Sequence, residues 1–192
     1  GPVAQNEIAY IDLDGTKLMA EVIKIVGNNA SLQVFESTRG LKVGSNVEFQ
    51  GHMLEVVLGP GLLQRNLDGL ENDLDKMDGI FLKRGEYTFQ LDEEKLWHFK
   101  PLVKEGDKVK AGSWLGEVDE NFQPHKIMVP FTMKGEFKIK QIIAEGDYNI
   151  YEKIAVIEDN EGNEKELNMI QRWPVKIPVT EYMEKPRPFK LL

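Results

Sequence analysis

The chain contains no cysteine. That excludes a disulfide framework and any thiolate-held zinc site, and it fits a reducing compartment. The dipeptide Gly-Lys is also missing, so no GxxxxGK[ST] loop can cradle a nucleotide phosphate within these residues. No GxGxxG opens a helix, and no GxSxG elbow presents a nucleophile. No apolar run approaches the ~18 residues of a membrane span, and no signal peptide is visible. Clustered lysine and arginine are lacking as well. The net charge of -8 argues against nucleic acid as the main partner, because phosphate contacts want basic clusters, and it favours solubility. The sequence opens on Gly1-Pro2 rather than on Met and ends soon after Pro186-Arg187-Pro188, so both ends read as cuts from something longer.

What is present is ordinary globular chemistry. Hydrophobic residues make up 41% and charged residues 29% of 192, enough for one large domain or two small ones. Residues 8–58, within an N-terminal unit of 1–58, read as a run of β-hairpins. Asp14-Gly15 and Gly27-Asn28-Asn29 suit tight turns, and Leu18, Ala20, Val22, Leu32 and Val34 alternate with polar residues as half-buried strands do. Short strands with regularly spaced turns predict a small N-terminal β-barrel. The stretch "LEVVLGPGLLQRNLDGL" then leaves a strand through Gly59-Pro60-Gly61 and turns again at Asp68-Gly69. Leu63, Leu67, Leu70 and Leu74 stand at helical spacing, and Asp68-Gly69 breaks any long helix. Residues 59–78 are therefore expected to be a connector with one or two short helical turns.

Residues 79–170 return to β. "GIFLKRGE" reads as a strand and turn, and "LDEEKLWHFKP" alternates Leu96/His98 against Trp97/Phe99. An internal echo follows. "EGDKVKAGSWLGEVDEN" begins at Glu105 and "EGDYNIYEKIAVIEDN" begins at Glu145. Val118 matches Ile157, and Asn121 matches Asn160. Two copies suit two similar β-halves packed face to face, with each Gly-Asp marking a turn. Residues 171–192 hold four of the nine prolines and read as an extended second connector, since proline removes a backbone donor.

The candidate sites are few. The repeat half resembles biotinyl and lipoyl carrier domains through its "GD.V..G..L" turn, but no lysine follows Asp119-Glu120 at a hairpin tip. Lys126 comes late, before Ile127-Met128-Val129, so modification there is not expected. His52, His98 and His125 are far apart, and none stands beside a carboxylate at ligand spacing, so each reads as a surface or satisfied side chain. Asp12 and Asp14 start like a calcium loop, whose later ligands are missing; a hairpin turn accounts for them. Asp92-Glu93-Glu94 reads as a solvated loop or a helical N-terminus. No catalytic, cofactor-binding or metal-ligating residue is assigned.

Taken in order, "EVIKIVGNNASLQVFESTRGLKVG", "LEVVLGPGLLQRNLDGL", "WHFKP", "EGDKVKAGSWLGEV", "KIMVP" and "MIQRWPVKIP" resemble the N-terminal part of the catalytic A subunit of V-type and archaeal-type rotary ATPases. The resemblance covers essentially the whole chain, and "GPGLL…DGL" and "QRWPVK" are its most specific stretches. It implies a mainly β fold: an N-terminal β-barrel and an inserted barrel-sandwich-like bulge, joined by short helical or extended connectors. It implies an exit from the barrel at Gly59–Gly61 and re-entry towards a nucleotide domain at Trp173-Pro174. Two departures stand out. The family's first barrel strand would precede Gly1-Pro2, which implies an incomplete barrel. Val175-Lys176-Ile177-Pro178 replaces the family's basic-proline run. By the same resemblance the parent subunit hydrolyses or makes ATP with Mg2+, coupled to proton or sodium movement. The barrel would meet B subunits, the bulge would meet a peripheral stalk, and the complex would sit on the cytoplasmic side of a membrane. This stretch itself would be non-catalytic. Residues alone leave two other readings open: a free-standing biotinyl/lipoyl-like adaptor, and an enzyme with a dispersed carboxylate site.

Overall fold

The computed structural model describes residues 2–63, 65–76, 84–85 and 87–180. The chain divides into two compact units. The first comprises Gly1–Val56, Arg65–Gln90 and Pro174–Ile177; the second comprises Val57–Gln64, Leu91–Trp173 and the segment from Pro178.

In the first unit, β1 (Glu7–Leu13), β2 (Thr16–Val26), β3 (Asn29–Val34) and β4 (Val47–Met53) form one sheet in the order β3-β2-β1-β4. Every neighbouring pair is antiparallel. The two hairpin turns fall where the sequence places them. Asp14 and Gly15 both take positive φ, and the Asp12 carboxylate accepts the Gly15 amide at 2.8 Å. Asp12 and Asp14 thus build the β1–β2 turn. Leu18, Ala20 and Val22 of β2 are buried at period two, as read from the sequence. Strand β1 departs from strict alternation: Glu7, Ile8 and Ala9 are all buried, because the register against β4 shifts between Glu7 and Ala9. The Glu7 carboxylate there accepts the amides of Ala4 and Gly51 at 2.8 and 2.7 Å.

Residues from Arg65 group with this unit. As expected, the helical spacing of the leucines gives a short helical turn and, among the described residues, no long helix. Among the described residues the one helical piece is a 3-10 turn, Leu74–Lys76. The reason is local: the Asp68 carboxylate accepts the amides of Leu70 and Asn72, both at 2.8 Å. That competes with helical hydrogen bonding. Asp73, fully buried, pairs with Arg65 at 2.7 Å, and its amide donates to Thr88 Oγ1 at 2.7 Å. The strand expected over "GIFLKRGE" lies almost entirely outside the described residues.

After β5 (Glu55–Leu58), the second unit holds β6 (Trp97–Pro101), β7 (Lys108–Val109), β8 (Trp114–Glu120), β9 (Gln123–Met128), β10 (Phe137–Ile142), β11 (Gly146–Tyr148), β12 (Ala155–Glu158) and β13 (Glu164–Leu167). They make two four-stranded antiparallel sheets, β11-β6-β8-β9 and β13-β12-β10-β7. Strand β14 (Gln171–Pro174) pairs with β5 in a small separate sheet.

The echo in the sequence has a topological meaning. Its first copy supplies β7 and β8, and its second supplies β11 and β12. Each copy's short leading strand joins the sheet of the other copy: β7 pairs with β10 beside β12, and β11 pairs with β6 beside β8. The two halves are exchanged rather than merely stacked. One expectation is corrected here. Glu105-Gly106-Asp107 does form a turn, with Gly106 at φ +91° and the Asp107 carboxylate accepting the Lys104 amide at 2.9 Å. Gly146-Asp147 is instead part of β11, where Gly146 lies opposite Phe99 and Asp147 opposite His98. Ladder pairing with β6 has taken the place of the turn.

The core of this unit gathers Phe99, Leu115, Val118, Ile139, Ile154 and Ile157, each at most 1% exposed. Gly116 lies against it. A Cβ at Gly116 would stand 2.3 Å from Phe99 Cε2 and 2.7 Å from the Lys100 carbonyl oxygen. We expect Gly116→Ala to lower the chain's stability by about 1–3 kcal/mol, the usual cost of overpacking a filled core, measurable as a reduced urea midpoint. An unchanged midpoint would mean that the Phe99 ring has room to retreat.

Candidate functional site

The Gly-Pro-Gly break that ends β5 is held by one carboxylate. Glu120 closes β8 and is 1% exposed. Its Oε1 accepts the Gly61 amide at 2.7 Å and the Leu63 amide at 3.0 Å. Its Oε2 meets His125 Nδ1 at 2.7 Å. The chain has left its ladder at Gly59, so these amides need another acceptor, and Glu120 supplies it. Space is tight at the same point: a Cβ at Gly59 would lie 2.8 Å from Ile170 Cγ2 and 3.2 Å from Leu91 Cδ1. Only glycine passes there without displacing a neighbour.

A groove of about 300 Å³ opens beside this break. It is lined mainly by apolar side chains, among them Leu58, Leu62, Ile127, Phe131 and Ile170, with His125 at its polar side.

The residues singled out in the sequence fall as follows. Lys126 sits in the middle of β9, directly opposite Glu117 of β8. It pairs with that carboxylate and lies 4.9 Å from the Trp114 ring centroid. Lys126 holds the Glu117 carboxyl below the usual range. The hairpin tip, where a carrier domain would display its lysine, is Asn121-Phe122. A lysine held in mid-strand by an anion and an indole face is not presented for modification. Asp92 Oδ1 accepts the amides of Glu94 and Lys95 at 3.1 and 3.2 Å, and Tyr151 donates to Glu93 at 2.6 Å. The acidic run is a capped turn. His52 meets its neighbour's carbonyl, Met53 O, at 2.8 Å.

Two of the histidines are satisfied by carboxylates that linear spacing does not pair with them. His125 meets Glu120, which lies diagonally across the β8–β9 hairpin, where Glu120 opposes Gln123 and His125 opposes Val118. His98 lies opposite Asp147 in the β6–β11 ladder, with Nδ1 2.7 Å from Asp147 Oδ1 and Nε2 3.2 Å from Glu145 Oε1. Strand pairing brings them together across 49 and 47 residues, a proximity with no signal in linear spacing. Among the described residues, no group of three His, Asp or Glu side chains is arranged to hold a metal ion. No helix among them is long and apolar enough to cross a membrane.

Two measurable consequences follow from these contacts. Glu120→Ala leaves the amides of Gly61 and Leu63 without their acceptor. It should cost about 1–3 kcal/mol per orphaned amide and speed hydrogen exchange at both; unchanged exchange at Gly61 and Leu63 would sink this account. The hydrogen bond to Asp147, and then that to Glu145, raises the His98 pKa above its ordinary value. Its folded pKa therefore exceeds its unfolded one, so its stabilisation is full below about pH 6.5 and is lost as pH rises through the folded midpoint. The His98 titration followed by NMR should have its midpoint lowered more by Asp147→Asn than by Glu145→Gln.

Residues 3–51 match the model of the ATP synthase alpha/beta family β-barrel domain. Residues 88–176 match that of the ATP synthase alpha/beta subunit barrel-sandwich domain. The V-type ATP synthase alpha chain of Borreliella burgdorferi is 46% identical over 188 residues, covering 96% of this chain and 33% of the relative. That of Treponema denticola is 46% identical over 195 aligned residues, covering 100% and 33%. The chain thus spans about a third of the length of the curated relatives it matches. With both domain models in order along it, the chain belongs to the ATP synthase alpha/beta family and carries that family's β-barrel and barrel-sandwich domains.

Proposed function

We propose that these residues are the non-catalytic N-terminal portion of the catalytic A (alpha) subunit of a V-type ATP synthase. In the parent complex, ATP hydrolysis or synthesis is coupled by a rotary mechanism to proton or sodium transport across a membrane. ATP and Mg2+ belong to the parent subunit, beyond the stretch described. The observation that carries the reading is the 46% identity to V-type ATP synthase alpha chains along 96–100% of the chain.

Within that reading, residues 1–58 serve as the barrel that joins B subunits in a ring, and residues 79–170 serve as the bulge that meets a peripheral stalk. Residues 59–78 and 171–192 are the connectors through which the chain leaves and returns towards the nucleotide domain. The complex sits at the cytoplasmic face of the membrane as a peripheral assembly. The role of this portion is mechanical: phosphate binding needs a nest of backbone amides and a lysine, and no Gly-Lys pair occurs here. The clamp of Glu120 on Gly61 and Leu63 supports a fixed path for the first connector. The adaptor alternative loses its support with Lys126 held in mid-strand.

The test is a chimera. Residues 1–192 replace the matching segment of the Treponema denticola alpha chain, and complex assembly and ATP hydrolysis are measured. Assembly with hydrolysis is expected, while the isolated chain shows neither ATP turnover nor calorimetric ATP binding. A folded chimera that fails to enter the complex, or turnover by the isolated chain, would overturn the reading.

A further inference from the structure

The tip of the β8–β9 hairpin has an unusual residue in an unusual conformation. Asn121 and Phe122 take φ of +53° and +68°, the left-handed pair of a two-residue hairpin turn. Asn followed by Gly is the sequence such a turn favours; a bulky aromatic at positive φ is a genuine outlier. Phe122 is also 99% exposed, so no packing in the free chain offsets the strain. Strain of this kind persists where something other than the local fold requires the side chain.

Phe122 borders a groove of about 300 Å³, together with Val118, Pro124, His98, Lys100 and Asp119. Its apolar part is the Phe122 ring, Pro124 and the buried Val118. Its charged part is predominantly anionic. Glu117 and Asp119 line it, and Glu145 and Asp147 bind the His98 ring that forms one wall. Against these four carboxylates stand Lys100 in the lining and Lys126 on Glu117. Among the described residues the Asp119 carboxylate has no hydrogen-bond or ion-pair partner, so one carboxylate at the rim is free to pair outwards.

From this combination we propose that the Phe122 tip and its groove are a docking surface for a basic amphipathic segment of a partner protein, with Phe122 as the aromatic anchor. The segment sets an apolar side chain against Phe122 and Pro124 and places Lys or Arg beside Asp119 and the neighbouring carboxylates. An exposed aromatic surrounded by complementary charge is the composition of an interface hot spot. This inference rests on the parent reading above and adds to it the residue and the partner chemistry.

Two measurements test it. Phe122→Gly in the isolated chain removes the strain and no packing, so its thermal midpoint should rise by about 1–3 °C. A fall in the midpoint worth more than the about 1 kcal/mol that glycine's unfolded-state entropy accounts for would show that Phe122 holds the fold, and would overturn the proposal. In the intact V-type complex built with this subunit, p-benzoylphenylalanine at position 122 is photolysed and the cross-linked peptides are sequenced. The expected product joins position 122 to a basic amphipathic segment of another subunit, and Phe122→Gly should weaken retention of that subunit at least about tenfold. An intact, ATP-hydrolysing complex that cross-links only to its own subunit, or to an acidic segment, overturns the inference and leaves the parent reading standing. A subunit that never enters a V-type complex fails the parent reading, and the inference falls with it.

Discussion

One buried carboxylate holds the turning point of this chain. At Gly59 the backbone leaves its ladder in a place too crowded for a Cβ, and the amides of Gly61 and Leu63 would otherwise lack a ladder partner. Glu120 takes both on one oxygen and meets His125 with the other. The sparse side chains of Gly-Pro-Gly and the bulk of Glu120 are two halves of a single solution: one makes room, and the other satisfies what the room exposes. The break therefore belongs to the second unit, although the chain rejoins the first from Arg65.

The same chemistry recurs on a smaller scale. Asp12, Asp68, Asp92, Asp107 and Asp159 each accept nearby backbone amides in turns. Part of the acidic excess is thus structural, since these carboxylates stand in for ladder acceptors at several of the turns. Asp159, bonded to Asn163 and Glu161, keeps its pKa below the usual carboxylate range for that reason. The surplus left over, at Asp119 and its neighbours, is what gives the hairpin tip its anionic setting.

The exchange of β7 and β11 explains how a unit of short strands becomes one body. Neither half of the echo completes a sheet without a strand from the other. Gly116 lets Phe99 and the Lys100 carbonyl lie against β8 at a distance that no side chain would permit. His98 ties β11 to β6 from the outside through Asp147. A hairpin anchored in this way can display a strained aromatic at its tip without unravelling.

Much was legible from the residues themselves. Period-two burial in β2, the Asp14-Gly15 and Gly27-Asn28 turns, and the alternation of Trp97 and Phe99 against Leu96 and His98 follow from rules reaching only a few residues along the chain. The family resemblance rested likewise on stretches such as "GPGLL" and "QRWP". Local rules stopped where a side chain found its partner across a ladder. Among the described residues the leucines at helical spacing gave only the 3-10 turn Leu74–Lys76, and its exact place was not legible because Asp68 takes the amides of Leu70 and Asn72. Gly146-Asp147 became a strand, because β6 offered it a ladder. Which carboxylates satisfy His125 and His98 was not legible, because Glu120, Asp147 and Glu145 come close only through strand pairing. Local pattern in the sequence thus reaches most of the strands and turns and the family. Tertiary structure alone decided which carboxylate serves which amide or imidazole, since hydrogen-bond partners are set by distance in space, which linear spacing does not encode.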